Sequence, residues 1–223
     1  MFIFIYKGKY DCLISKKEFE SYIKNLYFDM KKILNVKFTP KQFIVKIVMD
    51  AKKNQGWGGR TDNSIYNIFN MELQLYGYPK KIQTFELLES FFGCTVRHEI
   101  FHFFIPYIHN NSCWSEGVTD FMTYWYNNTI KIKLIEELYM YNSEKDIKYK
   151  EHKYGYVNGF KKMANLFNNN NLVINDMKKI IQDFNKNDKN RQKRYTKDDI
   201  ISYNNKFKTF FIGKCNRHTA YVI

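Results

Sequence analysis

The chain has 223 residues, 44% hydrophobic and 18% aromatic, so it should fold as a single domain with a sizeable core. No apolar run of about 18 residues lacks charge and the apolar start at Met1 is short, so neither a membrane-spanning helix nor a signal peptide is expected. The net charge of +14 admits an anionic partner, but the lysines are scattered and Lys, Asn, Ile, Tyr and Phe are all over-used, which argues against nucleic acid.

The four cysteines, Cys12, Cys94, Cys113 and Cys215, show no C-x-x-C and no paired spacing. Neither a disulfide scaffold nor a Cys-rich zinc site is expected; reduced thiols in a cytoplasmic setting are.

In chain order, residues 2–6 read as a strand. Ser15 and Glu18 form a capping box that opens a helix to about Leu34, with Phe19, Tyr22, Ile23, Leu26, Tyr27, Met30, Ile33 and Leu34 at helical spacing. Pro40 interrupts, and 43–49 alternates enough for a strand. A glycine-rich bend, Gln55-Gly-Trp-Gly-Gly-Arg-Thr-Asp-Asn-Ser64, precedes an apolar strand over 65–69, and Tyr76-Gly-Tyr-Pro79 reads as a turn. Pro106 ends a strongly apolar helical run over 85–105, and a loop turns the chain back. A second helix from about Cys113 carries Trp114, Val118, Phe121, Met122 and Trp125. Further helices are expected over 129–141 and 154–167, then from an Asn175 cap to Phe184 and from a Thr196 cap to about Lys206. Residues 185–197 form a concentrated basic run that reads as an exposed loop. Strands early and helices late favour α+β: one domain over 1–223, strand-bearing over 1–80 and mainly helical over 81–223.

The chemistry sits in His98-Glu-Ile-Phe-His102. On a helix, positions four apart share a face, so both imidazoles can grip one metal ion, with Glu99 beside its open side. Unpaired polar groups in so apolar a helix cost free energy, and metal ligation removes that cost. A zinc site needs a third protein ligand and an open position. Glu116, in Trp114-Ser-Glu-Gly-Val-Thr-Asp-Phe121, can return to the pair across a helix–loop–helix, and Asp120, one turn on, can accept a hydrogen bond from a ligand imidazole. His109, His152 and His218 read as surface residues, and Lys153 as solvated.

His98-Glu99-x-x-His102 with Glu116-x-x-x-Asp120 resembles the gluzincin metallopeptidases, whose catalytic domains look like thermolysin. The Trp-Ser-Glu-Gly-Val-Thr stretch is most similar to the glycyl-aminopeptidase family and also resembles the alanyl-aminopeptidases. Gly56-Trp-Gly-Gly-Arg-Thr-Asp-Asn-Ser64 resembles that family's substrate-binding glycine segment, which implies substrate contacts at Gly58 and Gly59. Tyr156-Val-Asn-Gly159 looks like the Tyr-x-x-Gly whose tyrosine stabilises the oxyanion, with Tyr154 its nearest rival. Tyr195-Thr-Lys-Asp-Asp-Ile200 and Phe210-Phe211 look like the family's C-terminal stretch. The resemblance covers about 26–213, without the N-terminal β domain and C-terminal extension of full-length relatives. It departs in the glycine segment, which is one residue short and lacks the glutamate that holds a substrate's free amino group; Asp62 is the candidate replacement.

The resemblance implies one zinc ion on His98, His102 and Glu116, with Glu99 as general base and Tyr156 as oxyanion donor. The implied activity is peptide-bond hydrolysis, aminopeptidase more than endopeptidase. The competing expectation is a catalytically weak or inactive binding protein of the same fold with a basic surface for an anionic partner. An intact Glu99 favours the enzyme, since a binder needs no general base.

Overall fold

The computed structural model describes residues 1–49, 59–62, 68–74, 89, 93–109, 111, 113–129, 154–169 and 172–213. Strands β1 (Phe2–Lys7), β2 (Gln42–Val48), β3 (Gly59–Asp62) and β4 (Ile68–Gln74) form one sheet in the order β1-β2-β4-β3. The first three in that order run parallel. β3 lies antiparallel at the edge, pairing Gly59 with Leu73 and Thr61 with Met71. Alternation along β2 turns Phe43, Val45 and Ile47 to one face, and β4 adds Phe69, Met71 and Leu73; all six are buried.

Helix α1 (Lys16–Ile33) starts at the expected capping box: Ser15 Oγ accepts from the Glu18 N–H at 3.2 Å, and Glu18 Oε2 accepts from the Ser15 N–H at 2.9 Å. Its buried stripe, Phe19, Ile23, Leu26, Tyr27 and Met30, joins the sheet's apolar face, with the Tyr27 ring edge-on to Phe43 at 4.8 Å. Helix α2 (Cys94–Phe104) shares that core: Phe103 meets Phe69 at 4.6 Å and Phe104 stacks on Tyr27 at 5.6 Å. His98 and His102 fall on a different stripe and stay part-exposed. Near the start of α2, buried Arg97 pairs with Glu89, which also accepts a hydrogen bond from the Tyr22 hydroxyl. The sheet and α1 thus hold α2, the imidazole-bearing helix, from more than one side.

After α2 the chain turns at Pro106 and enters a π-helical turn (Cys113–Val118) that runs into α3 (Thr119–Thr129). Then come α4 (Tyr154–Asn169), α5 (Leu172–Phe184), α6 (Asp188–Gln192), α7 (Lys197–Tyr203) and α8 (Phe207–Phe211). At this level the architecture is mixed α and β, with a small mixed sheet followed by helices. No helix among the described residues is long and apolar enough to cross a membrane.

Several expectations need correcting. Gly59 lies in a strand, not a bend, because pairing with β4 overrides glycine's weak strand preference. The next strand runs Ile68–Gln74, further along than 65–69. Asn175 does not cap α5, which already begins at Leu172. Thr196 does cap α7, with Asp199 completing a capping box, but that helix ends at Tyr203 and Phe207–Phe211 is separate. Cys113 is disulfide-bonded, whereas Cys12 and Cys94 are reduced, so the expectation of reduced thiols fails at one site. The turn at 76–79 and nearly all of the helix expected over 129–141 lie outside the described residues.

The basic run at 185–197 is not a plain exposed loop. Asn187 caps α6 through the Asn190 N–H at 2.8 Å. Asn185 is buried and its amide donates to the Phe104 carbonyl at 2.8 Å. The Arg191 guanidinium lies 4.0 Å from the Phe103 ring centre and donates to the Phe103 carbonyl at 3.0 Å. Phe103 therefore joins the sheet core to this segment. Phe103→Ala should cost about 3–5 kcal/mol of stability, read from urea unfolding at constant slope.

Candidate metal centre

The turn that carries Glu116 is locally determined. Asn111 opens it: its side-chain oxygen accepts from the Trp114 N–H at 3.0 Å, and its carbonyl from the Ser115 N–H at 3.0 Å. Trp114 anchors it, donating from its indole to the Pro106 carbonyl at 2.8 Å and stacking on Phe211 at 5.8 Å. The next turns are wound as a π-helix, a geometry often found at functional sites. Two glycines then let α4 close on it. A Cβ on Gly117 would stand 2.3 Å from Gly159 Cα, and one on Gly159 would stand 2.1 Å from the Cys113 carbonyl oxygen. Only bare backbone fits there.

Glu116 is thereby brought against the imidazole pair. Its Oε2 lies 3.4 Å from His98 Nε2 and 3.3 Å from His102 Nε2, and the two Nε2 atoms are 2.9 Å apart. The three ligating atoms lie within 4.8 Å of one another, and among the described residues this His-His-Glu group is the one that could hold a metal ion. Glu116 Oε2 is buried and has no hydrogen-bond partner among the described residues. Two imidazole nitrogens and a carboxylate oxygen gathered this closely fit a divalent cation.

The surroundings agree with that fit. Asp120, buried rather than solvated, sits 2.8 Å from His98 Nδ1, the orienting contact expected of it. Burial works against a charged His98, but the Asp120 carboxylate, by charge and hydrogen bond, then Glu116 and Glu99, outweigh it and raise the pKa to about 10. Burial likewise opposes ionised Glu116, yet the imidazoles of His102 and His98 hold its carboxyl well below the usual range. This concentration of acid around two imidazoles favours a cation at their centre.

Glu99 is held from the sheet edge. Thr61 Oγ1 on β3 donates to Glu99 Oε2 at 2.7 Å and stands 3.0 Å from the Glu99 carbonyl oxygen. Gly59, two residues earlier, makes room: a Cβ there would lie 2.6 Å from Glu99 Cγ and 2.7 Å from Oε1. Gly59 thus abuts the expected general base.

Of the expected site residues, His98, His102, Glu116, Asp120 and Glu99 come together, with Gly59 beside Glu99. Tyr156 belongs to α4, one turn before Gly159, but its side chain lies outside the described residues, as do Gly58 and the Asp62 side chain. His109 is exposed, as expected, and His152 and His218 lie outside the described residues. Two participants were missed: Thr61, whose hydroxyl reaches Glu99 only through sheet pairing, and Thr119, 3.4 Å from His102 Nδ1. Thr119 stands beside Asp120 on the same helix start, a proximity the sequence does display.

Compared with known proteins, the chain matches no family model, no curated protein and no solved structure. The functional reading therefore rests on the motif and its geometry.

Proposed function

We propose that this chain is a zinc-dependent peptidase of the gluzincin type with a thermolysin-like catalytic domain, acting more as an aminopeptidase than as an endopeptidase. The observation that carries the reading is the convergence of His98 Nε2, His102 Nε2 and the buried Glu116 Oε2, with Glu99 on the same helix as the histidines. The mixed sheet, with its antiparallel edge strand touching Glu99, supports it.

When bound, zinc supplies a Lewis acid that polarises a carbonyl and lowers the pKa of water toward 7. The chain's own residues do the rest. Thr61 occupies Glu99 Oε2, so Oε1 is the oxygen left to take a proton from the attacking water. Glu99 then gives that proton to the leaving amine as the C–N bond breaks and the new C–O bond completes the acid. Gly59 keeps the space beside Oε1 open. Asp120 keeps the Nδ1 side of His98 occupied, so Nε2 is the nitrogen that would hold the cation. Tyr156 is assigned the hydroxyl that stabilises the oxyanion. With the family's amino-group glutamate missing, Asp62 is assigned to a substrate's free amino group.

The test is a panel of aminoacyl and internally quenched peptides, run on the native protein and on Glu99→Gln with zinc content measured in both. Cleavage should fall by about 10²–10⁴-fold in Glu99→Gln while zinc stays bound. Cleavage of blocked peptides would reassign the enzyme as an endopeptidase. Equal function in both proteins would favour the binding-protein alternative.

A further inference from the structure

We infer that Thr119 is a positioning residue for the metal centre: its hydroxyl fixes the tautomer and orientation of His102, as Asp120 does for His98. The inference rests on the metal-centre reading above.

The argument begins with a helical threonine. At the first residue of α3, the Thr119 side chain turns back toward the carbonyl four residues earlier, a common bond for threonine in helices. Oγ1 donates to the Ser115 carbonyl at 2.5 Å. A hydroxyl has one proton, and here it is committed. What Oγ1 presents to His102 Nδ1, 3.4 Å away, is therefore a lone pair. His102 must carry a proton on Nδ1 to meet it, which leaves Nε2 as a lone pair aimed at Glu116 and His98. Thr119 is fully buried, so the orientation is set by protein rather than by water.

Two neighbouring residues then serve the two imidazoles, one carboxylate and one hydroxyl, both acting as acceptors. The same short segment carries the third ligand, Glu116, so one stretch of chain supplies a ligand and the supports of the other two.

The experiment measures zinc affinity of the full chain by competition with a chromogenic chelator. Thr119→Val keeps the shape and removes the hydroxyl, and Thr119→Ser keeps the hydroxyl. Zinc should bind Thr119→Val about 10–100-fold more weakly, while Thr119→Ser stays within about threefold of the native protein. Wild-type affinity in Thr119→Val overturns the inference. So does Thr119→Ser as weak as Thr119→Val, because packing of the methyl would then explain the loss. Should Thr119→Val fail to fold, Thr119→Ala removes the hydroxyl without setting a methyl against the Ser115 carbonyl, and the same loss is expected. A native chain that binds no zinc overturns the metal-centre reading itself, and the role of Thr119 with it.

Discussion

Zinc at about a thousand times its dissociation constant is expected to stabilise the metal-free protein by about 4 kcal/mol. For a chain of this size that is a rise of roughly 8–16 °C in thermal midpoint, and Glu116→Ala should abolish most of it. The cause lies in what the metal-free site leaves unsettled. Glu116 Oε2 is buried without a hydrogen-bond partner among the described residues, and two imidazole Nε2 atoms face each other at 2.9 Å. At that distance a proton shared by the two nitrogens holds them together in the metal-free protein, and zinc takes its place. Removing Glu116 takes away one ligand charge and one point of a three-point grip, so affinity falls steeply. His98→Ala should behave alike, and it also strips Asp120 of a partner 2.8 Å away. Differential scanning fluorimetry with and without zinc, beside metal analysis showing one ion per native chain, checks both claims. A native protein whose midpoint ignores zinc, cobalt and manganese alike would remove the basis of the peptidase reading.

How much of this was legible in the sequence depends on how local the cause is. The capping boxes at Ser15 and Thr196 were readable because both partners sit within one turn. The stripe of α1 was readable from its helical spacing. His98, Glu99 and His102 were readable because spacing alone puts the imidazoles on one face, and Glu116 with Asp120 followed from the same logic on the next helix. What stayed hidden is non-local. Gly59–Asp62 is a strand because β4 offers it hydrogen bonds, and within those residues only Thr61 favours extension. Thr61 reaches Glu99 across 38 positions of chain. Arg191 looked solvated because basic runs usually are, yet its guanidinium rests on Phe103 and donates to that residue's carbonyl. That burial also takes Arg191 away from any anionic partner, and Lys193 is engaged by Asp199 at 2.5 Å. The run at 185–197 is therefore a weaker anion-binding surface than its formal charge suggests.

Gly159→Ala tests whether the approach of α4 to the Glu116 turn sets the metal geometry, and two effects of opposite sign meet there. Alanine is the better helix former, favouring the variant by about 1 kcal/mol in a helix interior. Against that, its Cβ would lie 2.1 Å from the Cys113 carbonyl oxygen, 2.7 Å from Gly117 Cα and 2.9 Å from the Cys113 carbonyl carbon. All three are backbone atoms, so no side chain can swing aside, and the helix and the turn must separate. Overpacking of this kind typically costs about 1–3 kcal/mol, and a clash wholly with backbone belongs at or above the upper end. The clash should win, leaving the metal-free variant about 2 kcal/mol or more less stable, as read from urea unfolding. The displacement falls on the turn that carries Glu116, while His98 and His102 remain on α2, fixed by the core through Phe103 and Phe104. Metal–ligand distances tolerate only about 0.2 Å, so a shift of the turn by more than that weakens zinc binding beyond the loss of stability. The separating control is Val45→Ala in β2, a buried sheet position remote in sequence from the turn. It should lower stability to a similar degree and leave zinc affinity intact. If both variants lose affinity in proportion to stability, the glycine contact is ordinary packing; if Gly159→Ala alone loses it, the bare backbone at Gly117 and Gly159 sets the reach of the third ligand.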